Sequence, residues 1–246
     1  MKLEAKYLVT ADVRLLTGLH IGTSKDEVEI GGLDNPVIKT PSGEPYIPGS
    51  SLKGKMRMLM EFYRGLVRSN GEVHSCANGE CVVCELFGRA IDRRSDNENV
   101  FNRSRLIVRD AFLDKESLRA FKDFLETEWT EIKHENSINR INSKANPRPQ
   151  ERVPAGACFK AEFVVNVFSD DGDTYLKELF VAMKLLEDDY LGGSGSRGYG
   201  KIKFENITVK KRDASYYEGN GSETLLVQNA QSLKEVMEKL HVVVQK

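Results

Sequence analysis

The chain has 246 residues, 40% hydrophobic and 30% charged, enough for one sizeable core and better suited to a single domain with insertions than to two domains. No apolar run approaches the roughly 20 residues that span a bilayer, and the charged start from Met1 to Lys6 lacks a secretory apolar region, so a cytoplasmic chain with no membrane partner is expected. A formal net charge of −1 excludes the overall basic balance of an obvious nucleic-acid binder, leaving only local stripes for that role.

Residues 6–16 mix β-branched and aromatic side chains with partial alternation and predict a strand. A long glycine-containing loop follows, through His20 and Asp34, and is longer than a compact domain needs without a functional reason. After short extended pieces at Val37–Ile38 and Tyr46–Ile47, Ser50 or Ser51 caps a predicted helix over 51–68 with Leu52, Met56, Leu59, Tyr63 and Leu66 on its apolar face. Lys53, Arg57, Arg64 and Arg68 recur at intervals of four, seven and four, which keeps them in one stripe away from the core. A solvated helix face explains the same stripe.

Residues 70–102 form an irregular insertion. Within it, His74, Cys76, Cys81 and Cys84 place four potential ligands in eleven residues, the spacing of a closed Cys3His site for structural zinc; ordinary loop thiols are the alternative. Residues 104–113 predict a strand, 116–129 a short amphipathic helix, and the polar, basic, proline-bearing stretch 132–154 an arm with little core of its own. The clearest strand is 157–168, with Phe159, Ala161, Phe163, Val165 and Val167 on one face; a helix capped by Asp173 and a final strand over 201–210 follow.

Strand, helix, strand, strand, helix, strand is the order of an α+β, ferredoxin-like (RRM-like) βαββαβ core, which many RNA-binding modules use. Residues 213–246 then read as a C-terminal extension outside the 1–212 domain.

Two glycine-bearing segments carry further signals. The start of the basic helix offers Ser50, Ser51, Lys53 and Gly54 beside free helix N–H groups, a seat for phosphate, although a plain helix cap has the same spelling. It also nearly matches a Walker A loop, but Met56 stands where a magnesium-holding hydroxyl belongs, so nucleotide hydrolysis is disfavoured. Between Gly192 and Lys201, the G-x-G-x-x-G spelling follows a helix and opens a strand, the reverse of a dinucleotide fingerprint. There Gly195 and Gly198 suit close approach to a sugar-phosphate chain, Arg197 and Lys201 supply charge, and Tyr199 offers a stacking face; a helix end plus turn is the bland reading.

The segments LLTGLHIG, EIGGLDNPVI, GEPYIPGSSLKGKMR, ENSINRINSKANPRPQERVPAG and GGSGSRGYGK, in this order over residues 8–210, resemble the backbone-subunit family of type III-A CRISPR interference complexes, the third Csm protein of the RAMP superfamily. The resemblance implies an RNA-binding subunit that stacks with copies of itself and with other effector subunits along a guide RNA. It also implies cutting of complementary target RNA at regular intervals. Residues 132–154 would be a thumb hairpin carrying Arg140 and Arg148, and guide contacts would fall on Ser50, Ser51, Lys53, Arg57 and the glycine-rich loop. Asp34 would be catalytic, with Mg2+ or a similar divalent ion. The competing readings are a guide-processing endoribonuclease that uses His20, and an RNA-holding scaffold in which Asp34 is a turn residue.

Overall fold

The computed structural model describes residues 2–23, 36–76, 81–89, 104–169 and 171–244. Strand β1 (Leu3–Leu15) buries Ala5, Tyr7, Val9, Ala11, Val13 and Leu15, the period-two pattern of a sheet covered on one face. On either side it pairs antiparallel with β7 (Cys158–Phe168) and β8 (Ile202–Asp213), so that Val9 lies opposite both Phe163 and Val209. The inward face of β7 consists of the residues its alternation predicted.

The outer strands are β2 (Tyr46–Ile47), β3 (Leu106–Val108), β4 (Ala111–Leu113) and β9 (Thr224–Ala230). The seven-stranded sheet runs β2-β4-β7-β1-β8-β9, with β3 also paired to β7. One strand over 104–113 is therefore corrected to two. The break falls at Arg109–Asp110, where Asp110, at the surface, accepts a hydrogen bond from the Gly49 amide at 2.7 Å.

Helices α1 (Gly49–Tyr63) and α3 (Thr174–Asp188) pack together over the covered face. Helix α1 contributes Leu52, Met56, Leu59 and Met60, and α3 contributes Leu176, Leu179, Phe180, Met183 and Leu186. Helix α1 ends five residues before the predicted limit because Gly65 takes a left-handed φ of 66° and its N–H returns to Phe62. Tyr63 is consequently exposed, while Leu66 still packs on the core from the turn. The helix starts at Gly49, after Pro48, so Ser50 and Ser51 lie inside its first turn rather than capping it.

Within the insertion a short helix, α2 (Val82–Phe87), buries Val83, Leu86 and Phe87 against α1 and α3. The predicted helix over 116–129 is instead a 3-10 helix, Lys115–Phe124, seated by Leu118. Strands β5 (Glu131–Ile138) and β6 (Ala145–Arg152) form a separate two-stranded hairpin, matching the arm expected there.

After α4 (Ala214–Tyr217) the last residues do not trail away from the core. Strand β9 adds to β8, and α5 (Leu233–Val244) buries Leu233, Val236 and Leu240 beside α3. Among the described residues no helix is long and apolar enough to cross a membrane.

Candidate metal centre and nucleic-acid interface

The four Cys/His residues of the insertion converge, one ligand atom from each lying within 4.8 Å of the others. Cys81 is the residue before α2 and Cys84 lies inside it, so the C-x2-C spacing sets both thiols at one end of the helix. The Nε2 atom of His74 is buried with no hydrogen-bond partner, a vacancy in bonding that a metal would satisfy. Burial pushes the Cys84 thiol up to about 12. Burial also opposes ionisation of Cys76, yet hydrogen bonds involving Cys84 and Arg89 hold that thiol below its ordinary value. One imidazole and three thiols in this arrangement can hold a metal ion, with no carboxylate in the set. Cys158 stands apart, buried in β7.

The basic face of α1 is not the open stripe its periodicity implied. The Lys53 ammonium donates to Ser104 Oγ and to the Leu106 carbonyl, both at 2.8 Å, and burial, with Arg57 nearby, lowers its pKa. The Arg57 guanidinium is bound to Glu61 and to the carbonyls of Gly88 and His74. Lys55 lies 3.6 Å from the centre of the Tyr190 ring and 3.3 Å from Asp189. At the helix start the position expected to receive phosphate already holds the Asp110 carboxylate. Ser50 and Gly54 remain on the helix surface.

Cations do face solvent on the hairpin. Arg140 and Arg148 are exposed and, among the described residues, belong to no ion pair. At the tip Ile141 is 96% exposed and Ile138 is 52% exposed, apolar surface that no folding argument requires. Arg140, Arg148 and Arg197 line a single cleft of about 460 Å3 between the hairpin and the glycine-rich loop, together with Glu135, which lies 3.6 Å from Arg197, and with Asn136, Ser137 and Gln150.

The glycine-rich loop divides between surface and interior. Arg197, Gly198 and Lys201 are exposed, and Gly198 adopts a left-handed φ of 85°. Gly195 is required by packing, since a Cβ there would stand 2.0 Å from the Tyr190 ring. Tyr199 is 1% exposed, so it cannot serve as a stacking face for a base. Its ring sits below Lys133 and Arg152 of the hairpin base, 4.6 and 5.0 Å from its centre, fastening loop to hairpin. Burial, then Glu135, pushes its phenol up to about 12.

Asp34 lies outside the described residues. The chain on either side of it is held together, with Gly22 bridged to Val37 and the Ile38 amide donating to the Ile21 carbonyl. Glu151 of the hairpin base anchors this stalk: its buried carboxylate accepts from the Val37 amide at 2.8 Å, and from Lys39 and Thr130 at 2.6 Å. His20 Nδ1 donates to the Glu151 carbonyl at 2.7 Å, which assigns the Nδ1 proton because a carbonyl only accepts. The His20 carbonyl in turn accepts from Gly193. Loop, hairpin base and glycine-rich loop therefore meet at one joint. Sequence reasoning missed Glu151, an acid in a polar stretch, and Asp110, an acid between two apolar strand segments, because the partners of each lie far away along the chain.

The model of the RAMP superfamily matches residues 12–203. The chain is 45% identical over 235 residues to the CRISPR system Cms endoribonuclease Csm3 of Methanothermobacter thermautotrophicus, covering 92% of this chain and 94% of that protein. It is 42% identical over 247 residues to the protein of the same name from Methanocaldococcus jannaschii, covering 98% and 95%. Among solved structures it is similar to the crystal structure of the Csm3-Csm4 subcomplex in the type III-A CRISPR-Cas interference complex, with a TM-score of 0.66, 35% identity and 98% coverage of both chains. The Methanopyrus kandleri Csm3 crystal structure has the same fold at a TM-score of 0.64 and 24% identity, covering 100% of this chain and 98% of the other.

Proposed function

Because the chain belongs to the RAMP superfamily, and within it to the family of the CRISPR system endoribonuclease Csm3, we propose that it is an RNA-binding backbone subunit of a type III-A CRISPR effector complex that holds guide RNA and cuts complementary target RNA. The observation that carries this reading is the arginine-lined cleft beneath a projecting hairpin, next to the anchored stalk of the loop that bears Asp34. Arg140 and Arg148, with no carboxylate partner among the described residues, suit phosphate neutralisation, Arg197 adds charge that it shares with Glu135 at 3.6 Å, and an exposed apolar tip suits wedging between bases. Guide contacts are assigned to Arg140, Arg148, Arg197, Gly198 and Lys201, and to Ser50 and Gly54 on the exposed surface of α1.

The core is read as ferredoxin-like: the order β4-β7-β1-β8, with α1 following β1 and α3 following β7, supports it. Its open face presents ion pairs such as Arg14–Glu205 and Lys160–Asp12, with aromatic stacking among the described residues confined to the Tyr46–Phe112 pair at the β2–β4 edge, which favours the hairpin over the sheet as the RNA platform. The Cys/His cluster is assigned to structural zinc, since four protein ligands leave no open position for water. Copies of this chain in a filament, target RNA and other type III-A subunits are its proposed partners; the Csm4 partner of the structural relative supports the last.

Asp34 is the proposed catalytic residue: the described ends of its loop, at Gly22 and Val37, are bridged to each other and held to the hairpin base by Glu151, which supports a role in orienting the attacking 2′-hydroxyl beside the scissile phosphate. Among the described residues the group of potential metal ligands is the Cys/His cluster, so RNA oxygens would complete any magnesium site with Asp34. Magnesium would supply charge neutralisation at the phosphate. The test is cleavage of guide-complementary RNA by the reconstituted complex with magnesium. Asp34→Ala is expected to abolish cutting and preserve RNA binding; unchanged cutting would leave the chain a scaffold. If His20→Ala stops cleavage while Asp34→Ala does not, the guide-processing alternative takes over.

A further inference from the structure

We infer that Arg57 is a positioning residue of the Cys/His metal centre, serving that centre instead of an RNA backbone. The inference rests on the zinc reading of the cluster. The Arg57 guanidinium points three ways: Nη2 donates to the His74 carbonyl at 2.7 Å, Nη1 to the Gly88 carbonyl at 2.8 Å, and Nε to Glu61 Oε1 at 2.8 Å. His74 is the first ligand and Gly88 closes α2, so one planar group ties together the entry and exit of the segment that supplies all four ligands. The His74 carbonyl is also 3.7 Å from the Cys84 sulfur.

The same device is repeated along the loop. Arg68 donates to the Ser75 carbonyl, and Arg89 Nε donates to the Cys76 carbonyl at 3.2 Å. Three consecutive carbonyls, in a stretch without helix or strand, are thus each held by an arginine from elsewhere in the chain. Such a loop has few backbone partners of its own, and ordering it costs conformational entropy that otherwise weakens metal binding.

Charge points the same way. Zinc with three thiolates and a neutral imidazole carries a net charge of −1, which nearby guanidinium groups stabilise. On the other side Arg57 meets Glu61, and the two side chains are only 15% and 10% exposed. With its donors committed and its charge opposed, Arg57 has little left to offer a phosphate.

The experiment strips the full-length chain of metal and titrates zinc against a chromophoric chelator for wild type, Arg57→Ala and Arg57→Lys, with circular dichroism confirming the fold. Wild type is expected to bind one zinc, and Arg57→Ala to bind it 10- to 100-fold more weakly, on the order found when groups that orient ligands are removed. Arg57→Lys, unable to span both carbonyls, recovers only part of the loss. Zinc-saturated Arg57→Ala keeps wild-type affinity for guide RNA to within about twofold, as no counterion-releasing phosphate contact is lost. Unchanged zinc affinity in Arg57→Ala, or lost RNA affinity at zinc saturation, overturns the inference while leaving the metal site intact. A wild-type chain that takes up no zinc removes the centre itself. Should Arg57→Ala not fold, Arg68→Ala, at a half-exposed side chain, is expected to weaken zinc in the same direction, and wild-type affinity there overturns the shared role of the arginines.

Discussion

The Asp110 carboxylate accepts a hydrogen bond from the Gly49 amide at 2.7 Å, so the N terminus of α1 carries an anion supplied by its own chain, 61 residues away. A helix N terminus favours negative charge, and here the demand is met internally before any RNA arrives. Gly49 has no room for a side chain, since a Cβ would stand 2.3 Å from the Val108 carbonyl. Removing the carboxylate with Asp110→Ala is therefore expected to lower stability by about 1–2 kcal/mol, the scale of a lost helix cap. Urea denaturation checks it, and a variant as stable as wild type would deny Asp110 the capping role.

RNA affinity should respond to salt through the cleft rather than through α1. Each phosphate contact removed from a single strand lowers the slope of log affinity against log salt by about 0.7. Arg148→Ala and Arg197→Ala are expected to flatten the slope by about that amount each, whereas Lys53→Met, which loses bonds to Ser104 and Leu106, leaves it unchanged. A flattened slope in Lys53→Met would return α1 to the RNA interface.

Arg105 ties the insertion to the core. It bonds Glu85 of α2 and makes a two-pronged pair with Asp171 at 2.8 and 3.0 Å, its side chain 6% exposed. Arg105→Ala leaves the buried Asp171 carboxylate without its cation, while Glu85 keeps Arg89, and is expected to cost about 3–5 kcal/mol. Thermal and chemical unfolding measure it; a cost below about 1 kcal/mol would mean that water reaches the network and that the pair is worth no more than a surface bridge.

Glu151 makes part of the stability pH-dependent. Burial opposes its charge, but Lys39, Thr130 and the Val37 amide outweigh that and hold its pKa below the ordinary carboxylate value. A depressed folded pKa adds stability above the unfolded pKa, near 4.3 for glutamate, and that stability is lost as pH falls through the folded value. Glu151→Gln is expected to be less stable than wild type at pH 7, with the difference narrowing as pH falls below about 4. A gap that stays constant from pH 7 to pH 3 would sink the linkage.

Much of the architecture was legible in the residues. Alternation in 157–168 located β7 and its inward face, because a half-covered sheet must alternate, and the Cys/His spacing named the four residues that converge. The hairpin was readable as a polar basic arm with few core residues. Helix ends were less so: Gly65 stops α1 through a backbone angle, although the apolar pattern runs on to Leu66.

Element type, inward face, ligand spacing and the family likeness in its ordered motifs thus follow from neighbours along the chain. Which charges are free depends on contacts made in three dimensions. Lys53 and Arg57 share a stripe with the right period for an exposed face, yet Ser104 and Leu106 take the donors of Lys53 and the insertion takes those of Arg57, while Tyr199 is covered by Lys133 and Arg152. Residues 213–246 read as an extension outside the domain because a strand's worth depends on the edge it joins, and among the described residues β8 supplies that edge for β9. Long-range hydrogen bonds and burial are properties of three-dimensional neighbours, and no local pattern in the chain encodes who those neighbours are.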